Sequence, residues 1–447
     1  MLEQDSSRSP WSAATNYTRA IIQPVEQPIR ATLRVPGSKS YTNRALILAA
    51  LAHGPSHLSG ILKSDDSYWC IDALSKLGIS VEVADDHVRI EGRGGNWPRK
   101  EAKLFIGAAG TLARFLPGAL ACAQGGRYYV DGIEQLRRRP LKTLLDTLKQ
   151  LGAQITFLGE HEGLPLQVVG TGLRGGTVQV DCSVSSQFLS GLLLASPLAH
   201  GKVQIEVTGG LVQPDYVAIT IELMRRFGAK VEHDSSFRFF EVEPGGYVGQ
   251  ELVLEADAST ACYFLSAAAL TQGTVRVANV GYHSLQPDAR FIDVLEKMGC
   301  RCVKERDYLE VTGPPQLKGG FSVDMKLMSD QAITIAALAP FADGPITVTN
   351  VAHIRHHESD RIAVICQALR QLGVRVEERQ DGFTVYPSLP KGAVLDPHDD
   401  HRQAMTYSLL ALKVPGIVIT NPGCVSKTCP VYFEELKKLG VHVVLQK

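Results

Sequence analysis

The sequence predicts an α/β protein of two domains assembled from six copies of one unit, and three observations carry this. An apolar helix end followed by Gly and a strand-like run occurs six times: DALSKLGISVEV, DTLKQLGAQITF, ELMRRFGAKVEH, VLEKMGCRCVKE, QALRQLGVRVEE and EELKKLGVHVVL. The glycines, Gly78, Gly152, Gly228, Gly299, Gly373 and Gly440, recur 67 to 76 residues apart. Gly just past a last helical turn takes the left-handed conformation that ends the helix, and the β-branched or apolar residues after it start a strand. At the same period, a polar group precedes an Ala/Leu-rich helix: SKSYTNRALILAALA, AAGTLARFLPGALA, SVSSQFLSGLLLA, DASTACYFLSAAAL, SDQAITIAALAPFA and DDHRQAMTYSLLAL. These helices are apolar nearly all round, so burial is expected, with only their first turns open to solvent or ligand. Finally, 447 residues exceed what one core usually supports, and no polar capping repeat of a solenoid stands at either end. Two globules of three units each are therefore expected.

Composition narrows the function classes. Lys plus Arg and Asp plus Glu each number 46, a formal net charge of zero. Nothing in that balance favours nucleic acid or a membrane surface, and any anion site must be built locally. The nine cysteines are scattered, and only Cys300/Cys302 and Cys424/Cys429 lie close together, without zinc-site or redox spacing. That suits a reducing compartment, and a cytoplasmic location is expected. No apolar run has the length of a membrane span. Residues 1–27 are polar without a signal-peptide core and read as a poorly ordered tail.

Along the chain, PGSKSYTNR (36–44) joins a strand-like run to the first buried helix and places Lys39 and Arg44 at its start. A helix start already carries partial positive charge, so cations there make sense mainly if an anion binds. The six helix starts differ in kind. Lys39, Ser40 and Arg44, then Gly110, Thr111 and Arg114, then Ser185, Ser186 and Gln187 look like binding groups. Asp257, Asp330, and Asp400 with His401 and Arg402, bring titratable groups from the C-terminal half. Capping accounts for Asp257, Ser259 and part of Thr111; it does not account for Lys39, Arg44, Arg114, His401 or Arg402. If the helices of each globule run parallel and two such faces meet, their starts would converge on a cleft suited to anions. Three further clusters stand between repeats: LRRRP (136–140), HIRHHESDR (353–361) and CVSKTCP (424–430). LRRRP reads equally as a solvated basic turn, and HIRHHESDR as a charged face on a helix start, which is more often solvated than catalytic. A metal is not expected at His356 and His357, because adjacent histidines point apart and the nearby carboxylates come with as many arginines.

PGSKSxxNRA, AGTxxRF, RRRP, SVSSQF, SDQA, HESDR, DDHR and SKTxP occur in the order and spacing of the 5-enolpyruvylshikimate-3-phosphate (EPSP) synthase family, which the chain resembles from about residue 28 to its end. The resemblance implies the two-domain enolpyruvyl-transferase fold, an inside-out α/β barrel of six βαβαββ-type units. Residues 38–256 would form one domain and 28–37 with 257–447 the other, with hinges near 37 and 256. It implies transfer of the enolpyruvyl group of phosphoenolpyruvate to the 5-hydroxyl of shikimate 3-phosphate, without a cofactor or metal, by a monomer. Phosphoenolpyruvate would be held by Lys39, Gly110, Arg139, Gln187, Arg361, Arg402 and Lys427. Shikimate 3-phosphate would be held by Lys39, Ser40, Arg44, Ser185, Ser186, Gln187, Tyr216, Asp330 and His357. Asp330 would deprotonate the 5-hydroxyl, Glu358 would serve the methylene carbon, and Lys39 and Lys427 would assist. Arg355, Arg361 and His357 are expected around Glu358. The family's inhibitor glyphosate is expected to enter beside Gly110.

The chain departs from the common family pattern at Ala108, Gln213, His353 and His357, where Asn, Ser, Asn and Lys are usual. These changes leave a lineage variant or a paralogue with a related acceptor as readings. The related transferase acting on UDP-N-acetylglucosamine usually carries a Cys before its Arg-Pro pair, and DGIEQLRR before Arg139 has none. An inactive anion-binding scaffold is the non-enzymatic alternative, and it sits poorly with intact Lys39, Asp330, Glu358 and Lys427.

Overall fold

The computed structural model describes residues 7–160 and 162–447. All six repeat glycines have positive φ, from 76° at Gly373 to 96° at Gly152. The residue after each donates its N–H back into the helix: Ile79 to Leu74, Ala153 to Leu148, Ala229 to Met224, Cys300 to Leu295, Val374 to Leu369 and Val441 to Leu436. This bond closes the last turn and aims the chain into a strand.

Among the described residues the strands form six sheets that share one order. In the second copy Glu101–Phe105 runs parallel to Gln124–Asp131, which pairs antiparallel with Leu166–Thr171, itself antiparallel to Gln154–Phe157. A parallel pair needs a crossover, and in the second, third, fifth and sixth copies the buried helix supplies it. Three copies borrow a strand from elsewhere in the chain. Glu251–Val253 lies parallel to Ala52–Ser59 in the first, and Arg30–Leu33 parallel to Thr274–Val277 in the fourth. Arg19–Ile22 lies between Val418–Thr420 and Val443–Gln446 in the sixth.

That last strand corrects the reading of residues 1–27 as a poorly ordered tail. Arg19–Ile22 alternates, with Ala20 and Ile22 buried, and fills the place of a fourth strand. Residues 7–10 are also engaged, since Ser9 bonds to Asp65 through both its N–H and its hydroxyl. Residues 1–6 lie outside the described part.

By internal contacts the chain divides into two units. The first is Gly37–Glu255 with residues 7–10, and the second is Trp11–Pro36 with Ala256–Lys447. The first contains α1 (Lys39–Leu51), α2 (Asp65–Lys76), α3 (Gly110–Ala121) and α4 (Gln187–Ala195). α1, α3 and α4 are buried along nearly their whole length, as helices without a polar face must be. α3 and α4 approach so closely that a Cβ on Gly191 would overlap the Arg114 carbonyl oxygen. The second unit contains α5 (Ala258–Thr271), α6 (Ala332–Leu338), α7 (Arg361–Gln371) and α8 (His401–Ala411). α5, α6 and α8 form its buried centre, and the side chains of Asp257 and Asp400 cap α5 and α8. Among the described residues no helix is long and apolar enough to cross a membrane.

Candidate active site

In the first unit the predicted binding groups cluster around the starts of α1, α3 and α4. Lys39 is the first residue of α1, and its Nζ stands 3.8 Å from Asp66 Oδ2. One turn on, Asn43 donates to Thr111 Oγ1 at 2.6 Å and ties α1 to α3. Arg44 is buried, and burial lowers it to about 10. Its donors reach Thr220 Oγ1 at 2.7 Å, the carbonyls of Ser40 and Tyr216 at 3.0 and 3.2 Å, and Ser190 Oγ at 3.4 Å. Arg44 therefore holds Ser40 and Tyr216 in place through their backbone. Gly110 opens α3, and the Arg139 guanidinium lies where a Gly110 side chain would be. Arg137 instead pairs with Asp131 through two bonds of 2.9 Å, and Arg138 pairs with Glu134 in solvent. Of the three arginines before Pro140, the third is thus the one beside the helix start. Ser186 stands just before α4 without a side-chain capping bond, and the Gln187 N–H donates to Ser185 Oγ at 3.3 Å.

In the second unit the HESDR segment is not a charged helix face. Ala352–His356 is a short 3-10 turn, and α7 begins only at Arg361, capped by Asp360. Arg361 is the centre. Its guanidinium donates to Asp330 Oδ1 at 2.7 Å, Glu358 Oε2 at 2.8 Å, Asp400 Oδ2 at 2.8 Å and His357 Nδ1 at 3.1 Å. Arg402 Nη2 donates to Asp330 Oδ2 at 2.9 Å, and Lys427 Nζ stands 3.2 Å from Glu358 Oε1. Three carboxylates and three cations thus balance in one buried cluster. Arg355 was expected beside Glu358, but it pairs with Asp360 and Glu378 instead, because its stem leaves the short turn toward the neighbouring strand.

Electrostatics follow from these contacts. Burial pushes the Asp330 carboxyl up, but the guanidiniums of Arg402 and Arg361 outweigh it and hold the group well below the usual carboxylate range. Burial and Arg361 hold His357 neutral, with its proton on Nε2 because Nδ1 accepts from Arg361. Burial lowers His353 to about 4, and its Nε2 meets Ser329 Oγ at 2.8 Å. Behind them Asp288 is pushed up to about 6 by burial and by Asp330.

Residues 24–436 match the family EPSP synthase (3-phosphoshikimate 1-carboxyvinyltransferase). The chain belongs to this family. It is 49% identical over 444 residues to 3-phosphoshikimate 1-carboxyvinyltransferase 2 of Halalkalibacterium halodurans, covering 99% of each. The 3-phosphoshikimate 1-carboxyvinyltransferase of Trichormus variabilis is 41% identical over 420 residues, 94% of this chain and 98% of its own. The solved EPSP synthase of Acinetobacter baumannii aligns with a TM-score of 0.80 at 26% identity, covering 96% of this chain and all of that one. The EPSP synthase fold of two units and six repeated βαβ sheets is the fold seen here.

Sequence reading left out three contributors. Asp400 was noted only as a helix-start group, yet it holds Arg361 through two donors and takes the Ser359 hydroxyl at 3.0 Å. Asp66 and Asn43, which bear on Lys39 and α3, were not singled out. Asp66 sits in the first turn of α2 as an ordinary first-turn acid would, so its side chain carried no distinguishing signal.

Proposed function

We propose that the chain transfers the enolpyruvyl group of phosphoenolpyruvate to the 5-hydroxyl of shikimate 3-phosphate and releases inorganic phosphate. The observation that carries this is the Arg361 cluster, which brings Asp330, Glu358, Arg402 and Lys427 together in a chain of this family. In the addition step, the 5-hydroxyl oxygen bonds to the central carbon of phosphoenolpyruvate while its proton passes to Asp330, and Glu358 supplies a proton to the methylene carbon. In the elimination step, that carbon returns a proton and the bond to phosphate breaks. Lys427 and Lys39 hold the developing charge and assist proton transfer.

Electrostatics give these roles a sequence. With no anion bound, Asp330 spends both oxygens on arginines and is a weak base. A dianionic phosphate drawing on Arg402 and Lys427 would loosen their hold on Asp330 and Glu358, and both carboxylates would gain proton affinity. Lys39, Gly110, Arg139 and Gln187 of the first unit and Arg361, Arg402 and Lys427 of the second are assigned to phosphoenolpyruvate. Lys39, Ser40, Arg44, Ser185, Ser186, Gln187, Tyr216, Asp330 and His357 are assigned to shikimate 3-phosphate, Arg44 acting through Ser40 and Tyr216. Neutral His357 offers that acceptor an Nε2 donor rather than a charge. The reading includes a monomer working in the cytoplasm, which light scattering and cell fractionation would check.

The test is phosphate release from phosphoenolpyruvate by the purified protein, with shikimate 3-phosphate, shikimate or UDP-N-acetylglucosamine as acceptor. Release with shikimate 3-phosphate alone is expected. Release only with another acceptor would mean that Ala108, Gln213, His353 and His357 specify a different substrate.

A further inference from the structure

Lys427 ends a short 3-10 turn, Pro422–Lys427, in which Cys424, Val425 and Ser426 are wholly buried. A 3-10 turn is short and its own hydrogen bonds are poorly aligned, so the chain packed against it helps decide where it rests. Here that chain is the N-terminal segment. Ser426 Oγ accepts the Ala13 N–H at 3.0 Å and donates to the Ala13 carbonyl at 2.9 Å, so one buried hydroxyl meets both backbone groups of a residue 413 positions away. The contact continues along both stretches. Asn421, the left-handed residue that opens the turn, donates its N–H to the Thr18 carbonyl at 3.0 Å, and before it Val418–Thr420 pairs antiparallel with residues 19–21. Between these points the segment passes close over Gly423, where a Cβ would stand 3.3 Å from the Ala14 carbonyl oxygen. Ala14 itself has a φ of 57°, a conformation that an Ala keeps only where its surroundings hold it. Residues 13–18 thus flank the turn from the residue that opens it to the one before Lys427. They lie ahead of residues 24–436, over which the family matches.

We propose that residues 13–18 are a clasp that places Lys427, with Ala13 and Ser426 as its positioning residues. The Lys427 ammonium is buried and stands 3.2 Å from Glu358 Oε1. Its four-carbon stem is flexible, so the place of the charge depends on how firmly the backbone beneath it is held. The Ser426 hydroxyl does this holding from the adjacent residue. Without it, the Ala13 N–H and carbonyl lose this partner and the last residues of the turn gain room to move. The ammonium then spends less time where an anion and Glu358 would meet it. The proposal rests on the assignment of Lys427 to phosphoenolpyruvate.

The test compares wild type with Ser426→Ala, Ala13→Pro, Lys427→Gln and the double variant S426A/K427Q. In Ser426→Ala, KM for phosphoenolpyruvate is expected to rise about tenfold, which corresponds to about 1.4 kcal/mol, the worth of one to two hydrogen bonds. The dissociation constant of shikimate 3-phosphate, read by calorimetry, should change less than about twofold, because its assigned contacts lie elsewhere. A fall in kcat with both affinities unchanged is what mere loss of folded enzyme would give, and it overturns the proposal. Ala13→Pro deletes the N–H donor alone and should raise the same KM about threefold; no effect would mean that Ser426 acts without the segment. In the Lys427→Gln background, Ser426→Ala should add less than about twofold, since both changes act through one side chain. A full tenfold addition overturns the route through Lys427. Independently of activity, the rate at which an amine-acylating reagent modifies Lys427, read by peptide mass spectrometry, should rise about tenfold in Ser426→Ala as the turn opens more often. An unchanged labelling rate overturns the clasp. Faster labelling in an enzyme whose KM does not respond even to Lys427→Gln would sink the substrate assignment and leave the clasp standing.

Discussion

Arg361 donates to Asp330 Oδ1 at 2.7 Å from a side chain that is 2% exposed, and it serves Glu358 and Asp400 at the same time. Three carboxylates therefore share this one cation, with Arg402 also on Asp330 and Lys427 also on Glu358. Arg361→Gln leaves them facing one another in a buried site. A loss of about 3–5 kcal/mol in unfolding free energy is expected, as for other broken buried ion pairs. Denaturant unfolding of the two proteins measures it, and a loss under about 1 kcal/mol would show that water or Arg402 compensates the acids.

Gly110 and Arg139 give a sharper prediction about the anion pocket. Because the guanidinium occupies the place of a Gly110 side chain, Gly110→Ala displaces Arg139 as well as narrowing the pocket. KM for phosphoenolpyruvate should rise by about tenfold, and sensitivity to glyphosate should fall by more, since losing one charge-assisted hydrogen bond is worth roughly 1.5–3 kcal/mol. Steady-state kinetics with and without glyphosate decide it. Unchanged values for both would mean that Arg139 takes no part in holding the anion.

His353 makes stability depend on pH. Its folded value is lowered from 6.5 to about 4 by burial, so the unfolded chain binds a proton that the folded one refuses. The contribution is complete above 6.5 and is lost as pH falls toward 4. Between pH 7 and 5 the loss should be about 1–2 kcal/mol. Asp330, Arg361, His356 and Lys326 act on the same imidazole, and Asp288 nearby, raised to about 6, contributes with the opposite sign. The clean measurement is thus the difference in melting between wild type and His353→Asn at the two pH values. The variant should lose less stability on acidification, and parallel losses would contradict the depressed value.

Gly228 tests the repeat itself. Its φ is +91° and a Cβ would meet nothing within 4 Å, so Gly228→Ala adds backbone strain without a clash. A destabilisation of about 1 kcal/mol is expected, measured by thermal unfolding. No change would mean that the turn relaxes to another conformation.

Much of this protein was legible in one dimension, and the reason is local. A Gly that must adopt positive φ, a wholly apolar helix and a β-branched run each announce themselves within a few residues, so the six copies and their secondary structure could be read directly. The helix starts that carry Lys39, Gly110, Gln187, Asp330 and Arg402 were legible for the same reason, because a capping position has a fixed place relative to its helix. Resemblance to the family then supplied roles that spacing alone left open, such as choosing Arg139 over Arg137 and Arg138.

Tertiary structure alone decided the pairings. Arg19–Ile22 is only four residues and gains its place from a sheet completed hundreds of residues later. Whether Arg355 or Lys427 faces Glu358 depends on where two distant turns come to rest. Asp400 looks like an ordinary capping acid and Asp66 like an ordinary first-turn acid until the cations they meet are placed beside them. Charge pairing depends on distances in space, and a chain specifies those only after its helices and sheets have packed.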